Sequence, residues 1–179
     1  MMINMGNIKT LKTQRLILRK LQISDAEEMY KNWASDDEIT KYVRWSTHKN
    51  VDETKEYLKF ENEQCKKDNY YNWGIVLKQT GELIGAMGAF PSEDERTEIG
   101  YNISRKYWNN GYTTEALKEV LKYLSNEVGI HKFMCSHAVL NGASGAVMRK
   151  AGFEYIKDDT CEKFDGSKIF DTKVYKLDI

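Results

Sequence analysis

At 179 residues, with 41% apolar and 30% charged side chains, the chain has the composition of a globular protein rather than a disordered one. Its 27 basic and 27 acidic side chains cancel, which argues against nucleic acid as the main ligand, and no apolar run approaches the ~20 residues of a membrane helix. Cys65, Cys135 and Cys161 lack metal-ligand or redox spacing, and an odd count without a signal peptide points to the reducing cytoplasm.

Residues 1–10 read as an irregular tail and residues 11–179 as one domain, with no linker or internal repeat. Residues 16–21 predict a strand. Ser24-Asp25-Ala26-Glu27 has the capping-box pattern and predicts a helix running to about residue 34; a second helix follows over about 51–67. Trp73-Gly74-Ile75-Val76-Leu77, a turn at 79–82 and residues 83–90 form a hairpin. Residues 98–104 make the fourth strand. A helix over 113–127 carries Ala116, Leu117, Val120, Leu121 and Leu124 on one face. The fifth strand (133–139), a helix (143–150) and a closing strand (169–177) complete the order β-α-α-β-β-β-α-β-α-β. That order predicts a mixed α/β sheet with helices on both faces.

Two motifs carry the chemistry. In Arg105-Lys106-Tyr107-Trp108-Asn109-Asn110-Gly111-Tyr112-Thr113-Thr114-Glu115-Ala116-Leu117, a strand feeds a polar, Gly-containing turn that opens a helix. Free N–H groups and the positive end of the helix dipole then converge on one point, a site for phosphate. The second motif is Asn141-Gly142-Ala143-Ser144-Gly145-Ala146-Val147-Met148-Arg149-Lys150-Ala151-Gly152-Phe153. It is a short helix entered through Asn141 and closed by Gly152, after which Phe153 starts the next strand.

Together the two motifs resemble the Gcn5-related N-acetyltransferase (GNAT) superfamily, and within it the RimJ/RimL-type ribosomal-protein N-terminal acetyltransferases. That branch commonly reads Trp-Gly-Lys-Gly-Tyr-Ala-Thr-Glu-Ala where this chain has Trp-Asn-Asn-Gly-Tyr-Thr-Thr-Glu-Ala. The later signature, Asn-x-x-Ser-x-x-Val-x-x-Lys-x-Gly-Phe, is matched at every fixed position, and Thr13-Gln14-Arg15-Leu16-Ile17-Leu18-Arg19 is similar to the branch's opening strand. The resemblance implies a mostly antiparallel central sheet with a V-shaped gap between the fourth and fifth strands. It implies acetyl transfer from acetyl-CoA to a primary amine by direct attack on the thioester, without a metal.

Carried over residue by residue, Trp108, Asn109, Asn110, Gly111, Tyr112, Thr113 and Thr114 would hold the pyrophosphate. Asn109 stands where relatives often have Gly, and Asn is the residue other than Gly that best tolerates a left-handed backbone. Ile103 would bind the pantetheine arm through its backbone, and Asn141 would hold the arm from the opposite wall. Many relatives place a Tyr where this chain has Met148, so Ser144 becomes the partner of the arm and of the leaving thiolate. Glu98 is the favoured base.

His137 and Cys135, on the fifth strand, read first as packing residues, and Glu115 as structural. Trp33 and Trp45, with Tyr42 and residues 70–73, border the expected acceptor cleft. The acceptor would be a peptide or protein N-terminal amine, or a small amine such as a polyamine or aminoglycoside, and the chain would form a homodimer as many relatives do. The alternative is a catalytically silent acetyl-CoA-binding sensor or partner module, which Met148 favours.

Overall fold

A computed structural model describes residues 8–179. Eight strands lie in one sheet in the order β1-β2-β3-β4-β5-β6-β8-β7. They are β1 (Leu11–Lys12), β2 (Leu16–Lys20), β3 (Tyr71–Leu77), β4 (Leu83–Pro91), β5 (Thr97–Ile103), β6 (Lys132–Ala138), β7 (Glu154–Glu162) and β8 (Ile169–Asp178). Every neighbouring pair is antiparallel except β5 and β6, which are parallel and register through only Thr97↔Phe133 and Glu98↔Met134. Beyond Glu98 the two strands part, which is the gap the resemblance implies.

The helices are α1 (Ala26–Met29), α2 (Asp37–Thr40), α3 (Val51–Gln64), α4 (Tyr112–Tyr123) and α5 (Gly142–Lys150). They cover both faces of the sheet and divide the core in two. Leu16, Leu18, Ile75, Ile99 and Phe133 pack against Ala116, Leu117, Val120 and Met148 of α4 and α5. Leu21, Val76, Leu83 and Ala86 pack on the other face against Met29, Trp33 and Leu58. With both faces covered, β3 is buried at all seven positions and shows no alternation.

The N-terminal helix docks through two polar side chains. Glu28 accepts the Leu83 N–H at 2.8 Å and Asn32 donates to the Leu83 carbonyl at 2.7 Å, satisfying backbone groups where the β3–β4 ladder shifts register.

Several local expectations need correction. The capping box belongs to Gln22 and Asp25, not to Ser24 and Glu27: the Gln22 N–H reaches Asp25 Oδ2 at 2.8 Å, and a 3-10 turn over Ile23–Asp25 precedes α1. Both α1 and α4 end in a π turn, over Tyr30–Ala34 and Leu124–Val128. The helix α2 and the strand β1 stand outside the expected order, and β7, the strand expected to start at Phe153, is missing from that order. Ile8 is buried in the core, and the Lys9 carbonyl accepts the Trp73 indole N–H at 2.9 Å, so the packed domain begins before residue 11. Residues 1–7 of the expected tail lie outside the described residues. Among the described residues no helix is long and apolar enough to cross a membrane, and all three cysteines are free thiols.

The close approach of β4 to β5 fixes one glycine. A Cβ at Gly85 would lie 2.4 Å from the Asn102 carbonyl oxygen, whereas one at Gly142 would meet nothing within 4 Å. Gly85→Ala should therefore lower stability by about 2 kcal/mol, while Gly142→Ala should be neutral or stabilising by up to about 1 kcal/mol. Urea denaturation midpoints at constant m-value measure both, and equal midpoints would contradict the packing at Gly85.

Candidate active site

The first half of the site is the turn into α4. After β5, Ser104 N–H bonds the Ile84 carbonyl at 2.8 Å, which keeps the chain on the sheet until the 3-10 turn over Arg105–Tyr107. Asn109 and Gly111 then take φ of 60° and 77°. Asn109 adopts the left-handed conformation expected of it, and Gly111 is the N-cap of α4. Gly111 offers no side-chain cap, so the first-turn N–H groups at Tyr112, Thr113 and Thr114 stay open to a ligand at the positive end of a twelve-residue helix. Beside them lies a cleft of about 440 Å³ lined by Gln14, Gly111, Thr114, Glu115, Lys118 and Lys150. Two lysines and a helix N-terminus fit the phosphates of coenzyme A.

An acidic Glu115 in this turn would repel phosphate if its charge were free. Instead it accepts from Thr13 Oγ1 (2.6 Å), the Arg15 N–H (2.9 Å) and Arg15 Nε (2.7 Å). Burial pushes the carboxyl up, but these three donors outweigh it and hold Glu115 below the usual carboxylate range. Arg15 also donates to the Asn110 carbonyl at 3.0 Å and stacks on Tyr112 with its guanidinium 4.4 Å from the ring centroid. The β1–β2 turn is thus pinned to the phosphate turn.

The second half is the gap. Trp108 Nε1 donates to the Ile103 carbonyl at 2.9 Å, so one lone pair of the backbone group expected to bind the arm is already engaged. Across the gap, Cys135 Sγ–H donates to the Ile99 carbonyl at 3.1 Å, and burial pushes its thiol well above the ordinary range. Cys135 is therefore an inert thiol that closes the bottom of the gap.

Above it, the Tyr101 hydroxyl donates to the Ser144 carbonyl and accepts from Ser144 Oγ, both at 3.0 Å. Burial raises the Tyr101 phenol well above its usual value, so it stays protonated. Asn141 caps α5 with Oδ1 3.4 Å from the Ser144 N–H, which fixes Ser144 in the first turn. Glu98 sits at the last position where β5 pairs with β6, partly exposed, and no ion pair or side-chain hydrogen bond engages it among the described residues. His137 is buried, with Nδ1 2.8 Å from the Ala138 carbonyl and Nε2 without a partner beneath Gly145. Met148 is fully buried in the core.

The residues expected at the acceptor lie on the face of α1 and α3. Trp33 is fully enclosed there, its indole N–H without a partner, so it lines no open pocket. Trp45 is half-buried on the irregular segment 41–50, with its ring centroid 5.5 Å from that of His48. The tip of the β7–β8 hairpin closes on this segment: the Phe164 N–H bonds the Arg44 carbonyl at 2.8 Å and the Arg44 guanidinium lies 4.5 Å over the Phe164 ring. Burial pushes the thiol of Cys161, near the tip, above its ordinary value, and the Arg44 charge opposes that shift. Among the described residues no cluster of His, Cys, Asp and Glu could hold a metal ion.

Residues 15–154 match the family described as "Acetyltransferase (GNAT) domain". The chain belongs to the GNAT acetyltransferase family. It is an acetyl-CoA-dependent N-acetyltransferase, and its RimJ/RimL-like character is met among its relatives. It is 29% identical over 171 residues to the uncharacterized N-acetyltransferase YoaA of Bacillus subtilis, covering 93% of this chain and 95% of that one. It is 27% identical to the [ribosomal protein uS5]-alanine N-acetyltransferase of Escherichia coli, covering 83% and 81%. RimL, the ribosomal L7/L12 alpha-N-protein acetyltransferase solved with coenzyme A, superposes with a TM-score of 0.83 at 17% identity, covering 96% and 98%, and shares the fold.

Within this GNAT site, sequence reading overlooked Tyr101, Arg15, Lys118 and Lys150. Tyr101 had a signal, since it lies two positions from both Ile99 and Ile103 and so shares their helix-covered face.

Because Glu115 is held below its unfolded value of 4.5, its contribution to stability is present above that pH and is lost as the pH falls through the folded value. The stability gap between the native chain and Glu115→Gln should therefore be widest near about pH 6 and shrink toward about pH 3. Chemical denaturation across that range measures it, and a gap independent of pH would contradict the three-donor clamp.

Proposed function

We propose that this GNAT enzyme acetylates the N-terminal amine of a peptide or protein. The observation that carries the reading is the meeting of two groups where β5 and β6 part: the Tyr101–Ser144 pair on one face of the sheet and an unpaired Glu98 on the other. The acceptor class is supported by the E. coli relative, which by its name acts on a ribosomal-protein alanine. Trp45 and the hairpin tip offer a wall for the residues that follow the amine.

The N–H groups from Asn109 to Thr114, with Lys118 and Lys150, hold the phosphates of acetyl-CoA. Ile103 and Asn141 hold its arm. An alkyl ammonium is mostly charged at neutral pH, so Glu98 takes one proton from it, directly or through water. The freed nitrogen lone pair attacks the thioester carbonyl carbon, and the C–S bond breaks as the C–N bond forms. Ser144 Oγ–H protonates or hydrogen-bonds the departing sulfur. Two protons leave nitrogen in all; one ends on sulfur and the other passes to solvent. Tyr101, held protonated by burial, accepts from Ser144 Oγ and donates to the Ser144 carbonyl, so it holds Ser144 in place while the serine proton is replaced from solvent. A phenol thus stands beside Ser144 from β5, though not at position 148, where many relatives carry theirs.

Thiol release should follow peptides that begin with Ala or Ser, and Nα-acetylated copies of those peptides should give none. Turnover confined to polyamines or aminoglycosides would overturn the acceptor class, and tight acetyl-CoA binding without turnover on any amine would favour the silent module. Glu98→Gln should cut kcat by about 10²-fold or more with acetyl-CoA affinity unchanged. An unaltered kcat would remove Glu98 from the mechanism.

A further inference from the structure

Segment 41–50 carries Trp45 and Arg44 into the acceptor wall, yet it has no helix or strand of its own. Its main chain makes one internal bond near the wall, a long one of 3.3 Å from the Val43 N–H to the Thr40 carbonyl. Four carbonyls, that of Thr40 at the end of α2 and those of Val43, Arg44 and Trp45 in the segment, are satisfied from elsewhere. Lys163, on the hairpin tip, donates from Nζ to Thr40 (2.8 Å), Val43 (3.0 Å) and Trp45 (3.0 Å). Its neighbour Phe164 takes the fourth, that of Arg44.

An ammonium has three donors, and here all three are spent on one turn of irregular backbone. Lys163 makes no ion pair among the described residues, although Asp165 is close enough to act on its charge. Charge-assisted bonds to carbonyls in a half-buried setting are stronger than neutral ones. The tip is itself shaped to present this group. Lys163 N–H bonds the Lys168 carbonyl at 2.9 Å, and the Gly166 N–H bonds the Lys163 carbonyl at 2.9 Å. Gly166 takes a φ of 72°, and Asp165 joins Ser46 back to the segment.

We propose that Lys163 is a positioning residue for the acceptor: its ammonium, gripping the carbonyls of Thr40, Val43 and Trp45 at once, fixes the segment that forms the acceptor wall and thereby sets affinity for the amine. The proposal rests on the reading of that wall given under Proposed function. It concerns acceptor binding alone, because the phosphate turn and the Tyr101–Ser144 pair share no hydrogen bond with Lys163.

The test uses the full chain with Lys163→Met, which keeps the stem and removes the donors, and Lys163→Gln as a milder variant. Amide exchange in peptides covering 41–50 should quicken about tenfold, with exchange in β6 and α5 unchanged. The KM for the best peptide amine should rise about tenfold, with kcat within about twofold and the same acetyl-CoA Kd. Lys163→Arg keeps the charge, but its planar fork does not match three converging carbonyls, so it should not restore the KM. Unchanged exchange over 41–50 in both variants would overturn the proposal, and so would quickened exchange with an unchanged amine KM. If the native chain acetylates no amine, the acceptor reading fails by itself, and the exchange rates alone uphold or overturn the clasp.

Discussion

The short parallel seam between β5 and β6 governs everything else in the molecule. Two residue pairs join a five-strand block to a three-strand block, and beyond Glu98 the backbone groups that would continue the ladder have no strand opposite them. Buried backbone groups without partners are costly, so the chain satisfies some of them with side chains. Cys135 answers Ile99 and Trp108 answers Ile103, each by one bond to a carbonyl. The remaining edge suits an extended ligand that pairs as a strand does. The same divergence brings α5 over the gap, so that Ser144 meets Tyr101 across 43 positions of sequence.

The phosphate end is built from two residues in the left-handed region and one carboxylate beside an anion site, each unfavourable alone. Holding a residue other than Gly at φ of 60° costs on the order of 1–2 kcal/mol, and Asn109 is among the cheapest choices. Glu115 would oppose phosphate, but its two oxygens are saturated by Thr13 and Arg15, and Arg15 brings a cation and a second bond into the turn. The carboxylate thus serves to anchor a strand turn that in turn supports Asn110.

What was legible in the sequence follows from these local demands. Gly111 and the Asn141-to-Phe153 stretch mark turns whose backbone conformations few residues can adopt, and the structure puts both where the pattern does. The strand β7 was less legible because nearly every residue in it is exposed, so neither face leaves a period-two imprint. The π turns also left no mark, since each continues an amphipathic helix without a break in polarity. Tyr101 was readable as a face but not as a partner of Ser144, because pairing at long range depends on how the sheet parts. The Lys163 contacts could not be read at all: three main-chain carbonyls carry no residue identity.

The exposure of β7 raises the question of why a polar strand persists. Eight registered pairs with β8 hold it, and Lys173 ties Asp158 across the strands at 3.0 Å. Its outer edge is not inviting to another strand, since Lys157 and Asp159 charge it and a register shift sits between Tyr155 and Lys157. The strand buries little, so hydrophobic gain does not explain its length. Its length does carry the chain from the core at Phe153 to the tip at Lys163, where it meets an N-terminal segment that cannot order itself. The two pieces complete each other, since the tip supplies the donors that the carbonyls of the segment lack. On the proposed reading, acceptor choice therefore rests on this clasp between the hairpin tip and the segment, which shares no hydrogen bond with the Tyr101–Ser144 pair or with the turn into α4.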